Sequence, residues 1–147
     1  TMPQKLGQHF IKSKEICGKI ARMLEITSNE TVIEIGPGHG ELTLPLLEQT
    51  KNLKNVNFIA IEKDRELANR VQGLGYSNLK VVVGDVRKLL PEITKPLHPN
   101  SYKLIGNIPY YENISINFFI SAGNFCNNAP KKYLRASFFY NFKNFCF

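Results

Sequence analysis

The sequence predicts an α/β fold in which helices cover both faces of a mostly parallel sheet. Four short runs of nearly continuous apolar residues alternate with segments that have helical spacing or turn residues. Strands that are apolar on both sides are typical of parallel sheets buried between helices. The length of 147 residues, with 43% hydrophobic residues, suits one domain with one core.

The four predicted strands are rich in β-branched residues and end at glycine or polar residues. They are Thr31–Ile35, Val56–Ile61, Leu79–Val83 and Tyr102–Gly106. Ligands of such sheets bind beyond the carboxyl ends of the strands. The residues that follow each strand are therefore the candidate site residues.

The first predicted helix begins after Ser13, a residue type that favours helix N-caps. Its apolar residues recur at the helical spacing i, i+4, i+7 and i+8, and they are Ile16, Ile20, Met23 and Leu24. A second helix is predicted over residues 42–49, with Pro45 in its first turn because an internal proline breaks a helix.

The third predicted helix begins after Asp64 and ends at Gly73 and Gly75. A loop rich in proline (Pro91, Pro96 and Pro99) is expected to lead to the fourth strand. A short helix from Ile114 to Ile120 is expected after it.

The chain is basic, with 19 Lys and Arg against 12 Asp and Glu. Four of the cations lie in a C-terminal tail without acids, and they are Lys131, Lys132, Arg135 and Lys143. This balance suggests a nucleic-acid partner, and a solvated surface with a charged tail explains it equally well.

The other composition features point to a cytosolic protein that does not enter a membrane. No apolar run approaches a membrane span, and the start of the chain lacks a secretory apolar core. The cysteines Cys17, Cys126 and Cys146 are widely spaced, so we expect free thiols and no metal site.

A G-x-G-x-G run, Gly36, Gly38 and Gly40, follows the first strand. Glycines at this position let a backbone approach a ligand closely, although a plain strand-to-helix turn explains them as well. The dinucleotide fingerprint needs glycine where this chain has Glu41, and a pyrophosphate would be repelled by that carboxylate.

Acidic residues follow the second and third strands. Glu62 can accept hydrogen bonds from both ribose hydroxyls of an adenosine, and a helix cap is its alternative role, for which Asp64 is better placed. Asp85 can accept a bond from an adenine amino group or cap a short turn. Together with the glycine run they describe an adenosine site without a phosphate cradle. They imply S-adenosylmethionine, whose cationic sulfonium tolerates the nearby Glu34 and Glu41.

The segment Asn107-Ile108-Pro109-Tyr110 follows the fourth strand. The Asn107 side chain and the Ile108 carbonyl can accept both hydrogens of a nucleobase amine, which makes its nitrogen lone pair available to attack a methyl group. Pro109 is expected to fix the turn, and Tyr110 to stack on the base. A proline turn with tyrosines packed on the core is the structural alternative, which we disfavour at this position.

Five motifs in this order and spacing resemble the ribosomal RNA adenine N6,N6-dimethyltransferases, the KsgA type, with the Erm resistance methylases as relatives. They are Leu6–Ile11, Val32–Thr43, Ile61–Asp64, Gly84–Val86 and Gly106–Tyr111. The resemblance spans about residues 4–120. It implies a Rossmann-like methyltransferase that transfers two methyl groups from S-adenosylmethionine to the N6 amine of adenosines in small-subunit rRNA.

The resemblance also implies roles for individual residues. His9 and Ile11 would line the methionine end of the cofactor, with Gly36 and Gly38 close to it. Val86 would pack near the adenine that Asp85 binds, and Asn107 would be both catalytic and close to the cofactor. We expect a monomer that needs no metal.

The chain departs from the family after the proline–tyrosine motif. Members of the family continue with further strands and a helical domain that binds RNA, whereas residues 138–147 here hold five phenylalanines and a tyrosine. We therefore expect a catalytic N-terminal part at residues 1–120 and a basic aromatic tail at residues 121–147. The alternatives are a nonenzymatic RNA-binding or ribosome-assembly module and an Erm-like methylase of large-subunit rRNA.

Overall fold

The computed structural model describes residues 14–98, 101–109 and 116–122, with the backbone alone for residues 107–109 and 116–122. Its helices are α1 (Lys14–Met23), α2 (Thr43–Thr50), α3 (Arg65–Gln72) and α4 (Val86–Thr94). Its strands are β1 (Thr31–Ile35), β2 (Asn57–Glu62), β3 (Leu79–Val83), β4 (Tyr102–Pro109) and β5 (Ile116–Ala122). Within these ranges, no helix has the length and apolar character needed to cross a bilayer.

The strands form one sheet in the order β3-β2-β1-β4-β5. The pairs β1–β2, β1–β4 and β2–β3 are parallel, and β5 pairs antiparallel with β4. The predicted α/β fold with a mostly parallel sheet, Rossmann-like in its architecture, is therefore confirmed.

Side chains alternate along β1 and pack into two hydrophobic clusters, one on each face of the sheet. On one face, Val32, Phe58 and Ile105 pack with apolar residues of α1, α2 and α3. On the other face, Ile33, Ile35, Ile61 and Leu104 pack with Val86, Leu89, Leu90 and Ile93 of α4. Both faces of the central strands are thus buried, which explains their continuous apolar sequence.

Helix α1 buries only part of the predicted apolar face, since Leu24 is buried just after the helix and Ile20 packs against the core. Cys17 and Ala21 are buried, whereas Ile16 and Met23 are exposed by 46% and 53%. The small side chains of Cys17 and Ala21 allow α1 to lie close to α2, so close packing outweighs the size of the apolar side chains. Residue 13, the predicted cap, lies outside the described residues.

The predicted proline-rich loop is wrong at Pro91, which lies in a helix; Pro96 follows that helix, and residue 99 lies outside the described residues. Residues Val86–Thr94 form α4 with Pro91 inside it, and Asp85 caps its first turn. Pro91 removes one backbone hydrogen bond. The helix forms nevertheless because Val86, Leu89, Leu90 and Ile93 recur at helical spacing and pack against the sheet.

The predicted helix at Ile114–Ile120 is wrong, since residues Ile116–Ala122 form β5. A short apolar run has no reliable periodicity, and pairing of its backbone with β4 decides its conformation. The fourth strand also runs beyond Gly106 to Pro109. Asn107, Ile108 and Pro109 are therefore extended strand residues rather than a turn, and a proline fits the last position of a strand.

Candidate cofactor and methyl-transfer site

The register of the sheet brings the predicted site residues together at its carboxyl edge. Ile35 lies between Ile61 and Gly106, so the next residues on these strands are neighbours in the same row. These neighbours are Gly36, Glu62 and Asn107. Adjacent strands lie about 4.8 Å apart, which places Gly36 within reach of residues on both sides.

The same row continues into β3. Glu62 pairs with Val83, and the Gly84 amide donates to the Glu62 carbonyl oxygen at 2.9 Å. Asp85 thus begins the loop next to Glu62. Four separate segments of the chain contribute to this edge, as the sequence predicted, but the order β3-β2-β1-β4 that sets their distances emerges only from the structure.

The loop between β1 and α2 needs its glycines for its backbone conformation. Gly36, Gly38 and Gly40 have φ values of 63°, 60° and 89°. A residue with a side chain adopts this left-handed conformation at a cost of about 1–2 kcal/mol. The loop is closed by a bond from the Gly40 amide to the Pro37 carbonyl oxygen at 2.9 Å. The turn interpretation is therefore confirmed, while ligand binding by this loop stays a prediction.

Glu62 joins the glycine loop to β2. Its side chain is buried, and its two carboxylate oxygens accept from the Gly38 amide at 3.2 Å and from the Asp64 amide at 3.0 Å. Each oxygen of a carboxylate has two acceptor sites, so one remains on each for a ligand. Two acceptors side by side suit the two hydroxyls of a ribose.

Asp64 takes the capping role that was the alternative for Glu62. Its side chain accepts from the amides of Glu66 at 2.8 Å and Leu67 at 3.1 Å at the start of α3. The structure therefore assigns no cap function to Glu62. Its buried charge fixes the loop instead, which is a second role that the sequence did not indicate.

Asp85 caps α4 and also pairs with Arg87. Its Oδ1 accepts from the Arg87 amide at 2.9 Å, and its Oδ2 accepts from Arg87 Nη2 at 2.6 Å. The side-chain bonds from Arg87 hold the pKa of the Asp85 carboxyl well below its usual range. The N-cap alternative is thus confirmed, and the adenine role stays a prediction.

Glu34 lies on β1 beneath the glycine loop and is 1% exposed. Burial raises the pKa of its carboxyl to about 8, because desolvation penalises the ionised form and the charges of Glu41 and Glu62 add to that penalty. The Thr43 hydroxyl donates to Glu34 Oε2 at 2.7 Å and opposes the shift. Glu34 is therefore largely protonated at neutral pH.

Several predicted site residues have limited or no structural description. His9, Ile11 and Tyr110 lie outside the described residues. For Asn107, Ile108 and Pro109 the structure gives the backbone alone, with Asn107 opposite Phe118 and Ile108 opposite Asn117 of β5. Val86 is the first residue of α4, and its partly buried side chain packs against the hydrophobic cluster on that face of the sheet.

Thr43 and Arg87 were not among the residues predicted from the sequence. A threonine nine residues after a buried glutamate has no recognisable spacing, since the contact depends on the turn between β1 and α2. Arg87 could have been noticed as a cation two residues after a strand-end aspartate. Charge alone, however, does not predict that the two side chains pair.

Comparison with known proteins finds a matching family and relatives whose names refer to ribosomal RNA. Residues 1–123 match the family described as "Ribosomal RNA adenine dimethylase". A protein of Chlorobium phaeobacteroides named "Ribosomal RNA small subunit methyltransferase A" is 36% identical over 107 residues, which is 73% of this chain and 38% of that protein. A protein of the same name from Dehalococcoides mccartyi is 38% identical over 109 residues, or 72% of this chain and 35% of that protein.

These relatives are considerably longer than the present chain, which spans about a third of their length. Among solved structures, "Crystal Structure of PH0851" matches with a TM-score of 0.53 and 24% identity, covering 65% of this chain and 21% of that one. This likeness concerns the fold.

Proposed function

This chain belongs to the ribosomal RNA adenine dimethylase family, and on that premise we propose that it binds S-adenosylmethionine and methylates adenosines of small-subunit rRNA at N6, twice per adenosine. The observation that carries the proposal is the row formed by Gly36, Glu62 and Asn107 at the carboxyl edge of the sheet. Glu62, the proposed ribose ligand, and Asn107, the start of the proposed amine-binding segment, belong to the strands on either side of β1, which leads into the glycine loop, and this arrangement supports the proposal.

The described residues fit an adenosine-containing cation. Glu62 retains one acceptor site on each oxygen for the ribose hydroxyls, and Asp85 accepts from the adenine amino group beside Val86. Gly36 and Gly38 let the backbone approach the ligand. The family resemblance adds His9 and Ile11 at the methionine end.

The charges near the loop favour a sulfonium over a phosphate. Burial and the charges of Glu41 and Glu62 raise the pKa of Glu34, so Glu34 is neutral and the negative charge beside the loop comes from Glu41 and Glu62. A pyrophosphate would add negative charge to this cluster, whereas a positive ligand reduces its repulsion.

S-adenosylmethionine supplies an electrophilic methyl group on its sulfonium. Asn107, through its side-chain oxygen, and Ile108, through its carbonyl, accept the two hydrogens of the adenosine amine and hold its nitrogen toward that methyl group. Methyl transfer to that nitrogen would leave the electrons of the broken carbon–sulfur bond on sulfur. The amine proton then leaves to solvent, so no strong base is needed. Tyr110 holds the base by stacking, and Pro109 stiffens the segment.

The names of the curated relatives favour the small ribosomal subunit over the large one. We also propose a cytoplasmic location, where this substrate is assembled. That the protein is monomeric, needs no metal and divides at residue 120 remains a prediction from the sequence.

The test is methyl transfer to small ribosomal subunits that lack N6,N6-dimethyladenosine. Purified protein and labelled S-adenosylmethionine are incubated with these subunits, and the rRNA is digested and analysed by mass spectrometry. We expect mono- and dimethyladenosine from the wild type and at least a hundredfold lower rate for Asn107→Ala, whereas cofactor binding is largely retained.

Asn57→Ala is the matched control, because Asn57 is the exposed first residue of β2 at the opposite edge of the sheet. It should retain the wild-type rate. Equal rates for Asn107→Ala and the wild type would refute the proposed role of Asn107. A wild type that binds the cofactor and RNA without methylating would favour the nonenzymatic RNA-binding alternative.

A further inference from the structure

The Asp85–Arg87 pair has an unusual spacing for an ion pair beside a helix. Residues two apart do not face each other within a helix. These two meet because Asp85, the N-cap, is extended with φ −78° and ψ 121°, while Arg87 lies in the first turn of α4. The Asp85 side chain therefore lies against the first turn of α4, where it accepts hydrogen bonds from the Arg87 side chain.

Arg87 donates hydrogen bonds to both carboxylate oxygens of Asp85. Its Nε lies 3.1 Å from Asp85 Oδ1 and 3.2 Å from Oδ2, and its Nη2 lies 2.6 Å from Oδ2. The backbone amide of Arg87 adds a bond to Oδ1 at 2.9 Å. A guanidinium fork of this kind fixes the plane of a carboxylate, which a lysine cannot do.

The hydrogen bonds from Arg87 leave one acceptor site of the Asp85 carboxylate available for a ligand. A carboxylate has about four acceptor sites, and three donor groups of Arg87 occupy most of them. The Asp85 side chain is 26% exposed, so the carboxylate can be reached by a ligand. Glu62, the predicted ribose ligand, lies in the adjacent strand.

We propose that Arg87 is a positioning residue, which holds the Asp85 carboxylate in one orientation. In that orientation the free acceptor site of the carboxylate faces the 6-position of a bound purine. The site therefore binds a 6-amino purine more tightly than a 6-oxo purine. This inference rests on the proposed function, because it assumes that the adenosine of the cofactor lies at this edge. A carboxylate accepts a bond from the 6-amino group of adenine. The 6-oxo group of hypoxanthine is itself an acceptor and meets the fixed oxygen with repulsion.

The mechanism depends on orientation rather than on charge alone. Without the fork, the Asp85 side chain is free to rotate, and binding the amino group must immobilise it. Ordering one side chain reduces affinity by about two- to tenfold. A carboxylate that can rotate also turns away from a 6-oxo group, which reduces the repulsion. The ratio of the affinities for the 6-amino and the 6-oxo purine therefore decreases.

The experiment compares two ligands, S-adenosylhomocysteine and S-inosylhomocysteine, by calorimetric titration of the whole chain. The variants are Arg87→Met, which removes the fork, and Arg87→Lys, which keeps the charge. Lys88→Met is the matched control, since Lys88 is the next residue on α4 and is exposed. Circular dichroism and thermal unfolding establish that each variant is folded.

We expect the wild type to prefer the adenosine ligand by roughly tenfold or more, in keeping with one charge-assisted hydrogen bond. Arg87→Met and Arg87→Lys should lose about two- to tenfold in affinity for S-adenosylhomocysteine and change less than twofold for S-inosylhomocysteine. Lys88→Met should leave both affinities unchanged. Asp85→Asn keeps an acceptor for the helix cap and adds a donor, so it should also narrow the preference.

Equal losses for both ligands in the Arg87 variants would show a merely structural role and overturn the inference. Unchanged affinities would overturn it as well. A wild type that binds both ligands equally would show that Asp85 does not distinguish the purines, while the proposed function stands. A folded wild type that binds neither ligand would overturn the proposed function together with this inference.

Discussion

Two glutamates near the glycine loop differ in their surroundings and therefore in their roles. Glu62 accepts hydrogen bonds from the backbone amides of Gly38 and Asp64, which tie it to the glycine loop and to the start of α3. Glu34 accepts a hydrogen bond from the Thr43 hydroxyl and is 1% exposed. The bond from Thr43 does not compensate for the loss of water, so Glu34 keeps its proton.

Glu34 should make the stability of the protein depend on pH. The carboxyl ionises near 4.5 in the unfolded chain and near 8 in the folded one. Between these values the folded state binds more protons, so the free energy of unfolding decreases as pH rises, by about 1 kcal/mol per pH unit, and is flat on either side. Glu34→Gln stays neutral, accepts the Thr43 bond and should lack this slope.

The measurement is urea denaturation of the wild type and Glu34→Gln at pH 5, 6, 7 and 8. The difference in unfolding free energy between the two proteins should grow in favour of Glu34→Gln as pH rises. Because the other titrating groups are common to both proteins, their effects cancel. A difference that is constant across this range would show that Glu34 is ionised in the folded protein.

At the scale of the elements, Lys103 attaches α1 to the sheet. From β4 its ammonium donates to the Leu24 carbonyl oxygen at 2.8 Å and to that of Glu25, at the end of α1. It also pairs with Glu30 at 3.3 Å, and both side chains are largely buried. One lysine thus satisfies carbonyl groups that a helix end leaves without partners.

Lys103→Met should destabilise the protein by about 1–3 kcal/mol, because two carbonyl groups and the Glu30 carboxylate lose a charged donor. Lys19→Met is the control, since the Lys19–Glu15 pair is exposed by 62% and 74% and should contribute less than about 1 kcal/mol. Chemical denaturation measures both. Equal effects in the two variants would contradict the anchoring role of Lys103.

Two glycine-to-alanine substitutions should change the stability of the protein in opposite directions. Gly38 has φ 60° in the loop after β1, so Gly38→Ala should cost about 1–2 kcal/mol and weaken cofactor binding. Gly18 lies within α1, where a new Cβ would meet the flexible end of Arg22 at 3.4 Å. Gly18→Ala should therefore stabilise by about 0.5–1 kcal/mol.

Thermal and chemical unfolding of both variants, with a cofactor titration, test this difference. If Gly38→Ala were as stable as the wild type, the loop would not need its left-handed conformation. A loss of cofactor affinity in Gly18→Ala equal to that in Gly38→Ala would show that the affinity does not depend specifically on the loop.

The elements that the sequence predicted correctly are those whose local chemistry and packing agree. β1 and β3 have the predicted bounds, and Asp64 caps α3 as expected because its side chain reaches two amides close in sequence. Elements decided by distant contacts were predicted poorly. The face of α1 depends on α2, α4 forms despite Pro91 because the sheet covers it, and β5 depends on pairing with β4.

The same distinction applies to the candidate site. Position after a strand identified Gly36, Glu62, Asp85 and Asn107, because parallel strands bring their carboxyl ends to one edge. The bonds that these residues make, such as the Glu62 bond to the Gly38 amide and the Arg87 fork on Asp85, depend on loop geometry and could not be predicted. His9 came from the family resemblance alone.

For the whole molecule, the family match extends over residues 1–123, whereas the chain spans about a third of the length of its relatives. The described sheet already contains every strand that supplies a predicted cofactor ligand from residue 36 onward. The account therefore requires that this chain binds the cofactor without the remaining length of its relatives.

Calorimetric titration of the 147-residue chain with S-adenosylmethionine tests this requirement most directly. We predict saturable one-to-one binding, and a loss of about ten- to a hundredfold in affinity for Glu62→Ala, because charge-assisted bonds to the ribose are removed. Glu66→Ala, an exposed residue of α3, is the control and should bind normally. A folded wild type that shows no binding, or a Glu62→Ala variant that binds as tightly as the wild type, would contradict the account.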